Sequence, residues 1–178
     1  MIKSIFWYIN FVISLVLETP GLKKADKILK SQGEEAYEDF GFKKTTTWAK
    51  KQIDKSGAKI TVHNTQRIPK DRNVLFISNH QSDFDIAVFM ALIPKNTGFI
   101  AKVEMAKIPF LSQWMKKINC LFMDRKDLKQ SMEVILSGIK LLKNGKSLVV
   151  FPEGTRSKCD TVGEFKAGSF KLATKSNV

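Results

Sequence analysis

The stretch Ser78-Asn79-His80-Gln81-Ser82-Asp83-Phe84-Asp85 decides how this chain folds. An apolar run, Val74-Leu75-Phe76-Ile77, leads into it, and a second, Ile86-Ala87-Val88-Phe89-Met90, leaves it. The pattern reads as a buried strand, a polar turn and a helix. Open α/β sheets carry their chemistry at such carboxyl ends of strands. His80 and Asp85 are five positions apart, about 140° around a regular helix, so one helix cannot present both on one face. They meet only if His80 sits in the turn and Asp85 in the first helical turn. Asp85 would then bond one imidazole nitrogen and leave the other free as a base. The plainer alternative is a histidine satisfied within its turn, with Asp83 or Asp85 as a helix N-cap.

The same grammar repeats downstream. Residues 59–63 alternate like an edge strand, with His63 on its surface. The helix over 83–92 stops before Pro94. A short strand over 98–101 runs into Lys102, and 103–117 is helical with a break at Pro109. Residues 120–123 form a strand that ends in Asp124-Arg125. Asp127, with Gln130 three positions on, has the form of a capping box. The helix it opens has Leu128, Met132, Ile135, Leu136, Ile139 and Leu142 at helical spacing, and Asn144-Gly145 closes it. Residues 147–151 form another buried strand. Strand and helix in alternation predict an α/β fold, a mainly parallel sheet flanked by helices.

That last strand runs into Pro152-Glu153-Gly154-Thr155-Arg156-Ser157. Gly154 allows positive φ or a close backbone approach. Thr155 and Ser157 offer hydroxyls, and Arg156 a fork of donors that fits phosphate. Glu153 can accept from a substrate hydroxyl or hold Arg156. Lys102 and Arg125 also lie just past strands, so four polar clusters can share one rim. The alternative is four separate turns, with Arg156 paired to Glu153 for structure alone.

The N-terminus differs from this core. Residues 5–17 are mostly apolar and uncharged, short of the roughly 20 residues of a spanning helix. No small-x-small cleavage pattern follows. The run predicts a helix lying in the membrane interface, with Trp7 and Tyr8 at headgroup depth; a buried core helix is the other reading. Pro20-Gly21 breaks it. Residues 22–30 and 40–55 are lysine-rich, with Phe40, Phe42 and Trp48 interleaved, either a surface for anionic lipid or an ordinary solvated face with a few packed aromatics. The expected division is 1–56, a membrane-associated helical segment, and 57–178, the α/β domain.

The net charge of +13 favours an anionic partner: lipid headgroups, a phosphorylated substrate or nucleic acid. The apolar N-terminus and the lack of a nucleic-acid motif argue against the last. Two histidines, and cysteines (Cys120 and Cys159) outside any metal spacing, give no expectation of a metal site.

Asn79-His80-Gln81-Ser82-Asp83-Phe84-Asp85 resembles the His-x4-Asp motif of the glycerolipid acyltransferases. Phe151-Pro152-Glu153-Gly154-Thr155-Arg156-Ser157 is similar to their Phe-Pro-Glu-Gly-Thr-Arg-Ser motif, nearly to the letter. Ala101-Lys102-Val103-Glu104-Met105, Ile108-Pro109-Phe110 and Leu121-Phe122-Met123-Asp124-Arg125 resemble the family's middle block. The likeness runs over about residues 58–178, and the nearest subgroup is the bacterial one acting on 1-acylglycerol 3-phosphate.

The resemblance implies that His80 is the general base and that Asp85 orients it. The sn-2 hydroxyl of lysophosphatidic acid would attack the thioester of acyl-CoA or acyl-carrier protein directly, giving phosphatidic acid with no acyl-enzyme. Glu153, Gly154, Thr155 and Arg156 would bind the glycerol phosphate, with Lys102 and Arg125 adding charge. No cofactor beyond the acyl donor is implied. The location is the membrane phospholipid surface, on the cytoplasmic face of the cell membrane. An oxyanion donor is left open, with backbone N–H groups after His80 as candidates. Glycerol 3-phosphate or another lysophospholipid is the alternative acceptor. The family's fourth motif, a Pro-containing strand, should follow Phe165-Lys166-Ala167-Gly168, and the sequence stops at Val178. A C-terminally incomplete domain is therefore expected, and an inactive lipid-binding fragment is the alternative function. Ser112 stands where many members have glycine.

Overall fold

The computed structural model describes residues 2–157 and 159–178. Four parallel strands form one sheet: β1 (Leu75–Ile77), β2 (Thr97–Lys102), β3 (Leu121–Met123) and β4 (Ser147–Val150). Their spatial order is β1-β4-β2-β3. Helix α4 (Phe84–Leu92) joins β1 to β2, α5 (Leu111–Lys117) joins β2 to β3, and α6 (Leu128–Lys143) joins β3 to β4. A last helix, α7 (Lys171–Ser176), closes the chain. The parallel α/β architecture expected from the sequence is therefore present.

Strand alternation divides the core into two layers. Val149 and Phe151 face α4, packing with Phe99, Phe76 and Phe89. Leu148 and Val150 face the other way, packing with Leu142 and Ile135 of α6 and Leu172 of α7. So the chain leaves β1 toward one face of the sheet and leaves β4 toward the other. The crevice between their carboxyl ends is a topological switch point, where open sheets bind ligands.

Three helices precede the sheet: α1 (Ile2–Leu17), α2 (Thr19–Gln32) and α3 (Glu34–Ser56). The break after α1 falls at Glu18. Pro20 and Gly21 lie inside the first turn of α2, where proline's missing N–H costs nothing. Helix α3 packs on α4 through Ala49, Ile53, Ala87 and Ala91. Polar side chains tie α1 to α3: Ser14 Oγ accepts from Trp48 Nε1 at 2.9 Å and from Gln52 Nε2 at 3.1 Å. Trp7 Nε1 donates to the Gln52 carbonyl at 3.1 Å. Trp7 is thus turned inward, its ring 5.2 Å from that of Phe84, and not outward as its place in an interfacial helix suggested. Trp48 packs likewise, against Phe11.

Two further expectations change. Residues 59–63 form no strand and are exposed throughout; the alternation in their sequence is not matched by a buried face. Strand β1, read as buried, is an edge strand and only half-buried; its apolar run reflects helices over both faces, which an edge strand also has. At α6, Asp127 accepts from the Gln130 N–H, as a capping box requires. The Gln130 side chain turns instead to β3, accepting from the Asp124 N–H and donating to the Phe122 carbonyl.

Candidate active site

The two motifs meet across the β1–β4 crevice. Ser78 extends the ladder by one bond, N–H to the Val150 carbonyl at 3.2 Å, which sets the loop that carries His80. Asp85 sits in the first turn of α4 and folds back on that loop. Its Oδ2 lies 2.8 Å from His80 Nδ1 and also accepts from the Gln81 and Ser82 N–H groups at 2.8 and 3.0 Å. The meeting that the five-residue spacing demanded is therefore made. A carboxylate only accepts, so Nδ1 carries the proton and Nε2 presents its lone pair. The imidazole stacks on Phe151, centroids 4.3 Å apart, with its side chain 16 % exposed.

The second motif wraps this loop. Glu153 is buried, and Oε1 accepts from the His80 N–H at 2.9 Å. Its Oε2 accepts from Ser157 Oγ at 2.6 Å and the Gly163 N–H at 3.1 Å. The Ser157 N–H donates to the His80 carbonyl at 2.7 Å. Those donors hold the Glu153 carboxyl below its usual range, Ser157 most and the His80 N–H next. Gly154 turns the chain with φ +72°, a conformation glycine takes without strain. Arg156 Nη1 bonds Asp83 Oδ2 at 2.5 Å, so its acidic partner is on the first motif and is not Glu153.

Lys102 and Arg125 end up further along the rim. Lys102 ends β2, level with Met123 of β3. Lys102 Nζ pairs with Glu104 at 2.7 Å. Arg125, at the end of β3, has its pKa lowered by partial burial, against the pull of Glu104. Both cations belong to the same rim as His80, on the far side of β4.

A cavity of about 580 Å³ opens beside the second motif, lined among others by Thr155, Arg156, Glu164 and Lys166. Lys166 went unread in the sequence except as part of the Phe-Lys-x-Gly stretch. Its N–H bonds the Pro152 carbonyl at 3.1 Å, and its amine lies beside Gly154, 3.1 Å from where a Cβ would stand. A second basic group thus borders the space next to Arg156. Four of the backbone N–H groups after His80, the candidates for an oxyanion donor, are taken: those of Gln81 and Ser82 by Asp85, and those of Phe84 and Asp85 by Ser82. Burial pushes the Cys120 thiol up to about 12; Cys159 is exposed and its pKa is lowered by Thr161. Among the described residues, no three His, Cys, Asp or Glu side chains are grouped to hold a metal ion.

The geometry is that of a histidine–aspartate pair next to a motif whose cavity is lined by Arg156 and Lys166 along with Glu153 and Glu164, at the end of a parallel sheet. The family model described as Acyltransferase matches residues 59–178. A Mycoplasma pneumoniae protein named "Probable 1-acyl-sn-glycerol-3-phosphate acyltransferase" is 37 % identical over 122 residues, 66 % of this chain and 45 % of that protein. The 1-acyl-sn-glycerol-3-phosphate acyltransferase of Borreliella burgdorferi is 31 % identical over 121 residues, 68 % of this chain and 48 % of its own length. The chain spans about half the length of these curated relatives. The crystal structure of the 1-acyl-sn-glycerophosphate acyltransferase of Thermotoga maritima superimposes with a TM-score of 0.85 at 27 % identity, covering 99 % of this chain and 70 % of that one.

Proposed function

This chain belongs to the Acyltransferase family, and from that premise we propose that it transfers a fatty acyl group from acyl-CoA or acyl-carrier protein to the sn-2 hydroxyl of lysophosphatidic acid, giving phosphatidic acid. The observation that carries the reading is the 2.8 Å His80–Asp85 contact, on a loop bonded through the His80 N–H to the motif that carries Arg156. His80 Nε2 takes the proton of the acceptor hydroxyl as its oxygen attacks the thioester carbonyl. The C–S bond then breaks, and the departing thiolate takes that proton back from the imidazolium. Asp85 keeps the ring in the Nδ1–H form and stabilises its positive charge. Neither thiol is needed, in keeping with direct attack. Arg156 and Thr155 bind the acceptor phosphate, and Lys102 and Arg125 add positive charge along the rim. Helix α1 rests on the membrane phospholipid surface at the cytoplasmic face, where the acceptor resides. Support for the substrate class comes from the names of the relatives and from Arg156 and Lys166 beside the second motif.

The test is acyl transfer from acyl-CoA to lysophosphatidic acid in detergent micelles, with acyl-carrier protein as the second donor. The His80→Ala variant should lose about 10²–10⁴-fold in rate, the usual contribution of a general base, with an unchanged circular dichroism spectrum. Wild-type turnover in that variant would remove His80 from the role.

A further inference from the structure

The acidic residue of the second motif is spent on the protein itself. Glu153 is 7 % exposed. Three of the roughly four acceptor positions of a carboxylate are filled by donors from three segments: the loop after β1, the turn after β4 and the returning stretch at Gly163. A Cβ on Gly163 would stand 2.7 Å from Glu153 Oε2, so that contact needs glycine. Both backbone polar groups of His80 end on the second motif, its N–H on Glu153 and its carbonyl on the Ser157 N–H. Its ring rests on Phe151, two residues before Glu153.

We infer that Glu153 is a positioning residue that fixes the backbone of His80, and thereby the direction of the imidazole, and is not a ligand of the acceptor. This deepens the reading above and rests on His80 as the base. A carboxylate suits the task because charge-assisted bonds to N–H and O–H donors are shorter and stronger than neutral ones. An amide cannot replace it: its NH2 would face one of the donors that the second oxygen now accepts. Asp85 fixes the ring from the side of α4, and Glu153 fixes its backbone from the side of β4. The base is thus held from both walls of the crevice, which is how misplacements of about 1 Å, each costing about 10²-fold in rate, are avoided.

The test uses the full chain in detergent micelles with His63→Gln, so that His80 is the only imidazole in the spectrum. In the parent, ¹⁵N NMR should show His80 in the Nδ1–H form. In Glu153→Gln that signal should give way to a mixture of tautomers, while kcat falls about 10²-fold and the acceptor KM stays within about twofold, as a group that does not touch substrate requires. Ser157→Ala, which removes one donor, should shift the spectrum and kcat the same way but less, and Ser157→Thr should restore both. An acceptor KM that rises at constant kcat, with an unchanged His80 spectrum, overturns the inference. So does an unchanged spectrum in Ser157→Ala if Glu153→Gln fails to fold. The spectrum needs no turnover, so a protein that transfers no acyl group still tests the brace, and the two readings fail separately.

Discussion

Arg156 and His80 illustrate opposite uses of an acidic neighbour. The Arg156–Asp83 pair is open to water, its side chains 55 % and 57 % exposed, and such a pair is worth about 0–1 kcal/mol. A phosphate offers a guanidinium a bidentate contact instead, so under the proposed function Arg156 would leave Asp83 at little cost. Arg156→Ala should therefore raise the acceptor KM about tenfold or more, the loss of a charge-assisted bond of about 1.5–3 kcal/mol, with kcat and melting temperature little changed. Steady-state kinetics with varied acceptor reads this directly; an unchanged KM would move the phosphate elsewhere on the rim. The His80–Asp85 pair is the reverse case. Its side chains are 16 % and 26 % exposed, and Asp85 is tied by two further N–H donors. On the proposed mechanism that contact persists through the reaction, whereas the Arg156 contact exchanges for phosphate.

Helix α6 shows how far the sequence could be read at the scale of an element. Its limits and its Asp127 cap were legible, because capping and a 3.6-residue period are local properties. Its inward face was legible only in part: Ile135, Ile139 and Leu142 do pack in the core. Leu128, Met132 and Leu136 fit the spacing as well as Leu142 does, yet they are 77 %, 60 % and 63 % exposed, and Leu142 is 1 % exposed. The buried line runs through Val134, Gly138 and Leu142. At Gly138 a Cβ would stand 2.7 Å from a Leu172 methyl, so the close approach of α7 selects the face. That contact joins distant parts of the chain and leaves no trace in local periodicity. The same holds for β1, whose edge position follows from β4 inserting between β1 and β2. The turn of His80 toward Asp85 was legible as one of two readings, because at five residues of spacing the pair can meet only with His80 in the turn and Asp85 in the first helical turn. The three bonds on Glu153 were not, since they depend on Gly163 returning across the rim. Two substitutions separate the faces of α6. Leu142→Ala should cost about 2–5 kcal/mol, while Leu136→Ala should stay within about 0.5 kcal/mol. Urea unfolding of both variants checks it; equal losses would mean that Leu136 is covered in solution.

At the scale of the molecule, the question is how a basic α/β domain would meet the proposed lipid substrate. The stretch Ile5–Gln32 is long and apolar enough to cross a membrane by length and composition, but the packing of α1 favours a helix that lies on the surface. One side of α1, with Trp7, Phe11 and Ser14, is committed to α3 and Phe84. The rest is apolar and open: Ile5, Phe6, Tyr8, Ile9, Val12, Ile13, Val16 and Leu17 are each more than half exposed. An exposed apolar stripe of this extent marks a membrane or partner surface. Trp7 lies against Phe84, the residue before Asp85, so this apolar helix abuts the turn that carries Asp85. An acceptor with its tail in the bilayer and its phosphate at the rim would then present its sn-2 hydroxyl near the base. The net charge of +13 adds attraction to anionic headgroups. Replacing Val12 and Val16 by aspartate removes two apolar side chains, each worth about 1.5–3 kcal/mol on burial, and adds two charges that the lipid must expel. Co-sedimentation with anionic vesicles should fall by about a hundredfold or more on that scale. The melting temperature should not move, because both residues are exposed in the folded chain. Turnover of a short-chain, water-soluble acceptor should also survive, since neither residue touches the crevice, while turnover of acceptor embedded in vesicles should fall with binding. Wild-type sedimentation by the double variant would show that α1 does not face the lipid and that the charge of the core alone holds the protein to the membrane.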